Sequence, residues 1–411
     1  MTPPQPILVL TNAGAAGASA LAILASSACV LGAAYVAVIR YAERFSLVAL
    51  VALAAAASAA AWFSPVLFSS DVYAYAAYGR MAWLGLNPYA HAAARGDPLL
   101  RDAAWQWGGA FPICVYGPLF VGVVALIVDL FSPLGTLAQL QAVRALATIA
   151  TLACIPLVYA ATPEARARRL AAAAALGANP VVLWCGVEGH NDALALAVVL
   201  AGFALARRSP AAGGAVTALG ALIKLPAAAA AIALASVNPR ARAGTAAGLA
   251  VAVVASIPLL VGVATQLAPH GRYAPQASLQ AIAAPLGPLV APIAASLVAG
   301  ALLLHGLRLR NDGRYEGWIC FGLAAWVLIP NPYPWYAVWL VALASPAPAS
   351  RAGGVALALS FTSLLRYVPD AVAQPVGPSS VLLAGLATLP LLAMIPFRPG
   401  SLRSWYNERL A

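Results

Sequence analysis

Long apolar segments alternate with short polar loops along the whole chain. The first two, 14–39 and 47–68, are each long enough to cross a bilayer as a helix, which takes roughly 20 residues. The other candidate spans are 138–161, 170–186, 192–206, 244–265, 283–306, 315–330, 335–346, 352–368 and 380–397. The pattern predicts an all-α, multi-pass transmembrane bundle of about eleven spanning helices, forming one membrane domain over residues 1–411.

Arginine side chains set the predicted orientation of this bundle, because cytoplasmic loops of membrane proteins are enriched in Lys and Arg. The basic loops contain Arg40, Arg44, Arg166, Arg168, Arg169, Arg207, Arg208, Arg240, Arg242, Arg308, Arg310, Arg314 and Arg351, and the tail contains Arg398, Arg403 and Arg409. With all of these inside, the outer side receives 69–137, 187–191, 266–282, 331–334 and 369–379.

One apolar segment does not fit this orientation as a simple crossing. If Tyr116–Phe131 crossed the membrane, the cluster at 166–169 would fall outside. The segment is also short and carries Asp129 near its end. We therefore predict a juxtamembrane helix at the outer face, within the large loop 69–137. A true crossing is the alternative.

A second segment, 212–237, is predicted to be broken. It contains Lys224 and Pro226, and proline interrupts a helix because it lacks an amide hydrogen and clashes with the preceding turn. A single crossing would also place Arg240 and Arg242 outside. We expect a hairpin of two half-helices that meet near Lys224, where protein or a wet cavity covers the irregular backbone.

The composition agrees with a membrane protein. Apolar residues make up 63% of the 411 residues and charged residues only 9%, whereas soluble domains contain about a quarter charged residues. The net charge of +11 therefore reflects loop arginines facing a lipid bilayer, and no nucleic-acid partner is expected. The five cysteines form no CxxC motif and are expected to pack in apolar surroundings. The N-terminus lacks the basic region of a signal peptide, so the first apolar run is expected to remain as a helix.

Several common chemistries have no motif in this chain. It lacks a Walker A loop, a GxGxxG motif after a strand, a GxSxG motif, an HExxH motif and a DxD pair. No nucleotide, metal or other cofactor is therefore expected. The chemistry should instead use a membrane-delivered substrate at the outer face.

The stretch Ser69–Tyr89 contains the first candidate site. Asp71 lies where an apolar helix would leave the membrane, and Tyr73 and Arg80 follow it. The structural interpretation is that Asp71 caps a helix. The functional interpretation is a general base, which we favour because ionisable groups near the membrane interior are costly and usually serve a function.

A second candidate is the stretch 186–192, GVEGHND, between two apolar segments. Glu188 is a candidate for binding a sugar hydroxyl, and His190 and Asp192 are candidates for proton or phosphate chemistry. Capping of the next helix by Asn191 or Asp192 is the structural alternative. One His with carboxylates does not define a metal site.

Lys224 is the only lysine in the chain and lies within an apolar segment. A cation there needs an anionic partner, and the candidates are a lipid phosphate or a carboxylate such as Asp71 or Glu188. The alternative is snorkelling to a surface, which its distance from both ends of the segment disfavours.

Three further positions are weaker candidates. Arg272, beside His270 in an outer loop, is either a phosphate ligand or a solvated charge. The aromatic residues of NPYPWY (Tyr333, Trp335 and Tyr336) form either an interfacial belt or a rigid wall for a sugar or prenyl chain. Arg366 lies near the outer end of its helix, whereas the arginines of the basic loops are predicted to lie on the inner side.

The order of these motifs resembles a known family. SSDVYAYAAYGR and GLNPY are followed by YGPL at Tyr116, an NP helix (Asn179, Pro180) ending in GHNDA, then LIKLP and PYPWY, over about residues 65–340. The set is similar to the type C membrane glycosyltransferases, and most of all to bacterial mannosyltransferases that use polyprenyl-phosphate-linked sugar donors.

The resemblance implies a bundle whose large first outer loop carries juxtamembrane helices. It implies that Asp71 is the general base, and that His190, Asn191, Asp192 and Lys224 line the donor side. Many relatives of this architecture carry a second acid close to the first, or a soluble C-terminal domain. This chain has neither, so the acceptor class stays open.

Together these features predict an inverting, metal-independent glycosyltransferase of the bacterial plasma membrane, with its active site on the periplasmic or outer side. It would move a sugar, mannose by the resemblance, from a polyprenyl monophosphate to a hydroxyl of a glycan or lipid. Asp71 would take the proton of that hydroxyl, and Lys224 with His190 or Arg272 would offset the charge of the leaving phosphate. The predicted substrate-binding residues are Glu188, Asn191, Asp192, Tyr73, Arg80, Tyr116, Tyr333, Trp335 and Tyr336.

Two alternatives of other classes stay open. A transporter or flippase of a lipid-linked sugar also fits a broken helix at mid-membrane. A structural subunit of an envelope-synthesis complex would fit if the candidate residues did not converge.

Overall fold

The computed structural model describes residues 14–63, 69–91, 99, 111–163, 165–259, 275–367 and 378–395. Within these ranges the chain forms helices and turns and no strand, which confirms the predicted all-α class.

The described helices are numbered here in chain order. The first are α1 (Gly14–Arg40), α2 (Leu47–Trp62), α3 (Asp71–Trp83), α4 (Pro118–Leu130), α5 (Thr136–Ala161), α6 (Arg166–Gly177), α7 (Pro180–Val187) and α8 (Asp192–Ala206). The others are α9 (Pro210–Leu219), α10 (Pro226–Val237), α11 (Arg242–Ala255), α12 (Leu279–Ala283), α13 (Val290–Asn311), α14 (Glu316–Leu328), α15 (Ala337–Ala344), α16 (Arg351–Thr362) and α17 (Pro378–Thr388).

Few of these helices reach the length of a full membrane crossing. Within the described ranges, α5 and α13 are long and apolar enough to cross a membrane. If the bent pair α6 and α7 counts as one span, the number rises to three. Most other apolar helices are 10–17 residues long. The membrane character of the chain is thus supported, whereas the number of about eleven crossings stays a prediction.

The predicted span 170–186 is wrong as a single helix. α6 and α7 meet at a bend of 52°. The cause lies in the sequence: the side-chain oxygen of Asn179 accepts hydrogen bonds from the amides of Val181 and Val182, and Pro180 occupies the first helical position. An Asn cap followed by proline starts a new helix rather than continuing the old one.

Several other boundaries differ from the predicted ones because short 3-10 turns replace the expected helix ends. The segment predicted from 283 begins its long helix only at Val290, after a 3-10 turn at Ala284–Leu286. The helix predicted to 368 ends at Thr362 and continues as the turn Ser363–Tyr367. Proline or a helix-terminal crowding of small residues favours such tight turns at helix ends.

The predicted break near Lys224 is confirmed. α9 ends in a 3-10 turn at Gly220–Leu222, and Pro226 is the first residue of α10. A Cβ added to Gly220 would lie 2.9 Å from the Cβ of Ala227. At the other end of the two helices, a Cβ added to Gly214 would lie 2.5 Å from the carbonyl oxygen of Ala241. Since both ends are close, α9 and α10 form an antiparallel hairpin with Lys224 at its tip.

The hairpin packs closely against its neighbours through small residues. α11 approaches α9 so closely that a Cβ on Gly244 would lie 1.8 Å from the carbonyl oxygen of Ala211. α8 approaches α9 at Gly202, where a Cβ would lie 2.2 Å from the Oγ1 of Thr217. Small residues at such contacts let helix backbones approach each other, as they do in membrane bundles.

The candidate chemistry and the basic loops lie at opposite ends of the bundle. α8 begins at Asp192 and ends at Ala206, next to Arg207. The guanidinium of Arg207 donates to the carbonyl oxygens of Ala160 and Thr162 at the end of α5. At 1.5 Å per residue, a helix of this length separates the two ends by about 20 Å.

α4 lies at the opposite end of α5 from the basic cluster at 166–169. Its Val124 packs on Gly79 of α3, and the carbonyl oxygen of Val128 accepts a hydrogen bond from Gln139 in the first turn of α5. This placement is the one that the arginine pattern requires of Tyr116–Phe131. Its position relative to the bilayer stays a prediction.

Two buried apolar clusters make up most of the core. One joins α6, α7, α14, α15 and α16, with Leu176, Leu323 and Leu359 at its centre. The other joins α3, α4 and the first half of α5. Trp339 of α15 packs against both clusters, so the junction between them lies at this residue.

The close approach of α11 and α9 generates a stability prediction. Gly244→Ala should lower the free energy of unfolding by about 1–3 kcal/mol, because a methyl group there overlaps a backbone carbonyl that cannot rotate away. Gly300→Ala in α13 is the matched control, since nothing lies within 4 Å of a Cβ at that position. Thermal unfolding of the detergent-solubilised variants measures the difference, and equal midpoints would contradict the packing.

Candidate functional site

Four chain segments meet at one end of the bundle. They are the start of α3 with Asp71, the turn between α7 and α8 with Glu188 and His190, the helix break with Lys224, and the stretch before α15 with Trp335. All four segments lie where a helix begins or ends. The site is therefore built where backbone breaks expose polar groups to the interior.

His190 lies between two carboxylates. Its Nδ1 is 3.8 Å from Oδ2 of Asp71, and its Nε2 is 3.7 Å from Oε2 of Glu188. The His190 side chain is only 2% exposed. Because the two carboxylates approach different ring nitrogens, the imidazole bridges them.

A column of stacked planar groups holds the His190 ring. The ring stacks on Trp335 with centroids 4.4 Å apart and an interplanar angle of 19°. Trp335 stacks on Tyr333 at 4.3 Å and 12°. The guanidinium of Arg366 lies 4.1 Å above the other face of Tyr333, and it donates a hydrogen bond to Gln276. The imidazole therefore has a fixed plane, and only its edge nitrogens remain for chemistry.

Two buried side chains in the turn have unsatisfied polar atoms. Among the residues the structure describes, both ring nitrogens of His190 and both amide atoms of Asn191 have no hydrogen-bond partner. Each residue is 1% exposed. Buried polar groups are normally hydrogen-bonded, so unsatisfied ones call for an explanation. A polar ligand such as a sugar would satisfy them.

Lys224 is paired with Asp192, and not with Asp71 or Glu188 as the sequence suggested. Its Nζ donates to Oδ2 of Asp192 over 2.6 Å, and the Nε1 of Trp339 donates to the other carboxylate oxygen over 2.7 Å. The Lys224 side chain is 13% exposed. A carboxylate is one of the two kinds of anionic partner that the sequence left open for this lysine.

The rings of Tyr116 and Tyr336 flank the lysine ammonium. Their centroids lie 5.7 and 5.8 Å from Nζ, within the range of a cation–π contact. Burial raises the pKa of Tyr116 well above its ordinary value, and the charge of Asp71 raises it further. Its hydroxyl is therefore neutral at physiological pH and accepts a hydrogen bond from Tyr75 over 3.4 Å.

Neither aspartate is the cap that the structural alternatives proposed. Asp71 and Asp192 are the first residues of α3 and α8, and the cap positions belong to Ser70 and Asn191, which make no side-chain cap hydrogen bond. The amide of Asp71 donates to the hydroxyl of Ser69. A carboxylate in the first turn is favoured by the helix dipole, so two helix N-termini stabilise negative charge in the site.

The YGPL motif connects the large outer loop to the helix break. The amide of Gly117 donates to the carbonyl oxygen of Ile223 over 3.1 Å. A Cβ on Gly117 would lie 2.1 Å from the carbonyl oxygen of Leu222, so only glycine permits this approach. The contact fixes Tyr116 beside Lys224.

Sequence reasoning missed Arg144 and Trp339. Arg144 is 5% exposed in α5, and its Nε donates to the carbonyl oxygen of Val187, directly before Glu188. Another of its nitrogens donates to the carbonyl oxygen of Trp62. The signal was present, since an arginine inside an apolar segment is as unusual as Lys224. Trp339 gave no such signal, because tryptophans are common at helix ends in membranes.

The remaining predicted site residues fall in different places. Tyr73 is buried in α3, two residues after Asp71. Arg80 is nine residues after Asp71, about 14 Å along the helix, and so lies away from His190. Tyr333 and Trp335 stack on each other behind His190, with Trp335 buried and Tyr333 half-buried. Arg272 lies outside the described residues.

Comparisons with known proteins gave one match. The family model of the MptA_B family, described as alpha-(1->6)-mannopyranosyltransferase, N-terminal domain, matches residues 2–242. These residues include Asp71, the turn 186–192 and Lys224. A search of curated proteins and a search of solved structures each found no match.

The turn before His190 generates a prediction for activity. Gly189 has φ +93°, and a Cβ there would lie 2.7 Å from Cγ2 of Val72 in α3. Gly189→Ala should therefore displace Glu188 and His190 and reduce sugar transfer at least tenfold. Gly313→Ala is the matched control, since Gly313 has φ +72° with nothing within 4 Å of a Cβ.

Both substitutions carry the cost of left-handed backbone, about 1–2 kcal/mol, so both should lower the unfolding midpoint. Only the first should lower the transfer rate per folded molecule. Equal transfer rates in the two variants would show that the turn does not need its glycine for activity.

Proposed function

Since the chain belongs to the alpha-(1->6)-mannopyranosyltransferase family, we propose that it transfers mannose from a polyprenyl monophosphate to a hydroxyl of a glycan or lipid acceptor. The reaction takes place on the outer face of a bacterial plasma membrane. The observation that carries the proposal is the convergence of Asp71, His190 and the Lys224–Asp192 pair in one buried polar cluster.

Asp71 is the proposed general base. It removes the proton of the acceptor hydroxyl as that oxygen attacks the anomeric carbon and the bond from this carbon to the phosphate oxygen breaks. Attack opposite the leaving group inverts the anomeric centre, so a β-linked donor gives an α-linked product. The family description specifies an α-(1→6) linkage, which makes the 6-hydroxyl of a sugar the proposed acceptor group.

Cationic side chains are proposed to compensate the charge of the leaving phosphate without a metal. Lys224 lies at the tip of the hairpin, where its ammonium already binds one carboxylate oxygen. A phosphate entering beside Asp192 would share this ammonium. Arg272 remains a proposed second cation. Preorganised charges of this kind act more strongly in a site that excludes water than in solution.

Polar and aromatic groups around the cluster are proposed to hold the sugars. The unpartnered amide of Asn191 and the carboxylate of Glu188 suit sugar hydroxyls. The rings of Tyr116, Tyr336 and Trp335 offer apolar surfaces to sugar faces. Asp192, Tyr73, Tyr333 and Arg80 are retained as proposed members of the binding site, with Arg80 on the acceptor side because of its distance along α3.

The base assignment predicts the effect of removing the Asp71 carboxylate. Asp71→Asn should reduce the transfer rate by roughly 10²–10⁴-fold, the usual contribution of a general base, while donor binding persists. Asp312→Asn, the same substitution on the exposed turn after α13, is the control. Product formation and donor affinity in proteoliposomes separate the two effects, and full activity of the Asp71 variant would exclude it as the base. A flippase, in contrast, would move the lipid without forming a glycosidic product.

The Lys224–Asp192 ion pair predicts different effects of substitutions on stability and on activity. Lys224→Met leaves Asp192 buried and unpaired, which should cost about 3–5 kcal/mol of stability. Adding Asp192→Asn removes the unpaired charge and should restore much of that stability, because Asn can still accept the hydrogen bond from Trp339.

Sugar transfer should stay low in the Lys224→Met/Asp192→Asn double variant, since the cation for the phosphate is gone. Transfer rates and unfolding midpoints of the single and double variants test this. If the double variant regained full transfer, Lys224 would be a structural partner of Asp192 only.

A further inference from the structure

His190 is placed to exchange protons with Asp71. Its Nδ1 faces Asp71 and its Nε2 faces Glu188, at 3.8 and 3.7 Å. A neutral imidazole carries one N–H donor and one acceptor nitrogen. If the Nε2 hydrogen is directed to Glu188, Nδ1 is left as an acceptor toward Asp71. Stacking on Trp335 keeps the ring in the plane that this exchange requires.

A buried base has to dispose of its proton in every turnover. Asp71 is 6% exposed, and His190 is a titratable group beside it. The proposed transfer converts a singly charged phosphodiester and a hydroxyl into a glycoside, a doubly charged phosphate monoester and one proton. While Asp71 holds that proton, its carboxyl group is neutral and cannot act as the base for the next acceptor hydroxyl.

We propose that His190 takes from Asp71 the proton of the acceptor hydroxyl, and that Glu188 stabilises the imidazolium that forms. This inference rests on the proposed function. In the first step the acceptor O–H bond breaks and an Asp71 O–H bond forms. In the second, the Asp71 O–H bond breaks and the His190 Nδ1–H bond forms. The proton passes to water when the products leave.

The charges around His190 suit a transient cation. The described charged groups of the cluster are Asp71 from α3, Glu188 from the turn after α7, Asp192 from α8, Lys224 from the hairpin tip and Arg144 from α5. Three carboxylates thus face two cations near the ring, whereas Trp335 and Tyr333 separate Arg366 from the imidazole. An imidazolium would offset the excess of negative charge at the moment when the leaving phosphate gains its second charge. His190 would therefore also help to compensate the charge of the phosphate.

The two carboxylate distances are longer than hydrogen bonds, and closing of the site around substrate has to shorten each by about 1 Å. Catalytic hydrogen bonds are often long in a ligand-free protein and tighten with substrate. Glu188 and His190 lie on one turn that Arg144 holds through the carbonyl oxygen of Val187. A small movement of this turn would bring His190 closer to Asp71, and a rotation of the Glu188 side chain would shorten the second distance.

Chemical rescue tests the inference. His190→Ala leaves a ring-sized space against Trp335, and mannosyl transfer should fall by roughly a hundredfold, within the usual contribution of acid–base catalysis. Imidazole added to the assay should raise the transfer rate of the His190→Ala variant at least tenfold. Pyrazole has nearly the same shape but is a far weaker base, and it should restore little. His305→Ala, at an exposed position of α13, should keep the wild-type rate and respond to neither compound.

Equal rescue by pyrazole and imidazole would overturn the inference, since the ring would then only fill space. His190→Gln guards against misfolding of the alanine variant, because it keeps a side-chain amide but cannot carry the proton. A wild-type rate in His190→Gln would also overturn the inference.

A measurement without substrate separates this inference from the proposed function. The chain has four histidines, and ¹⁵N spectra of the wild type and His190→Gln identify the signal of His190. We expect the neutral tautomer with hydrogen on Nε2. If that tautomer is found but the wild type transfers no mannose from polyprenyl-phosphate mannose, the proposed function fails while the geometry holds. If the wild type transfers mannose and pyrazole rescues as well as imidazole, the proton transfer alone fails.

Discussion

The buried pair of Lys224 and Asp192 is the interaction on which the site depends. Each charge would be very costly alone in an apolar bundle, and each compensates the other. The pair joins the tip of the α9–α10 hairpin to the first turn of α8, two helices that also pack on each other through small residues. Trp339 binds the second carboxylate oxygen and so ties α15, at the junction of both apolar clusters, to the same point.

Backbone irregularity and chemistry coincide in this protein. The segments that carry Asp71, Glu188, His190, Lys224 and Trp335 reach the site at a helix end, a 3-10 turn or a glycine with a positive φ. These breaks expose amides, carbonyls and short polar side chains at depths where an unbroken helix would present only apolar ones. The packing that permits the breaks is also close. Gly117 lies against the backbone of the hairpin tip and Gly189 against the side chain of Val72, so both turns need a residue without a side chain.

The site draws on both halves of the chain. The family model covers 2–242, which contains the acids, the histidine and the lysine. The planar stack behind the histidine comes from Tyr333, Trp335 and Arg366, beyond that range. The N-terminal part thus supplies the acids, the histidine and the lysine of the cluster, and the C-terminal part holds the His190 ring in position. The orientation of the His190 ring depends on this second part, because stacking and not a hydrogen bond fixes its plane.

Local patterns in the sequence determined the all-α class, the break at Pro226 and most of the polar residues that converge. Those patterns suffice because proline, caps and isolated charges act within a few residues of themselves. Only the tertiary structure decided that Lys224 pairs with Asp192, that His190 joins Asp71 to Glu188, and that Arg144 and Trp339 belong to the site. Such pairings depend on which helix faces stack across long sequence separations, and an apolar segment carries almost the same pattern on every face.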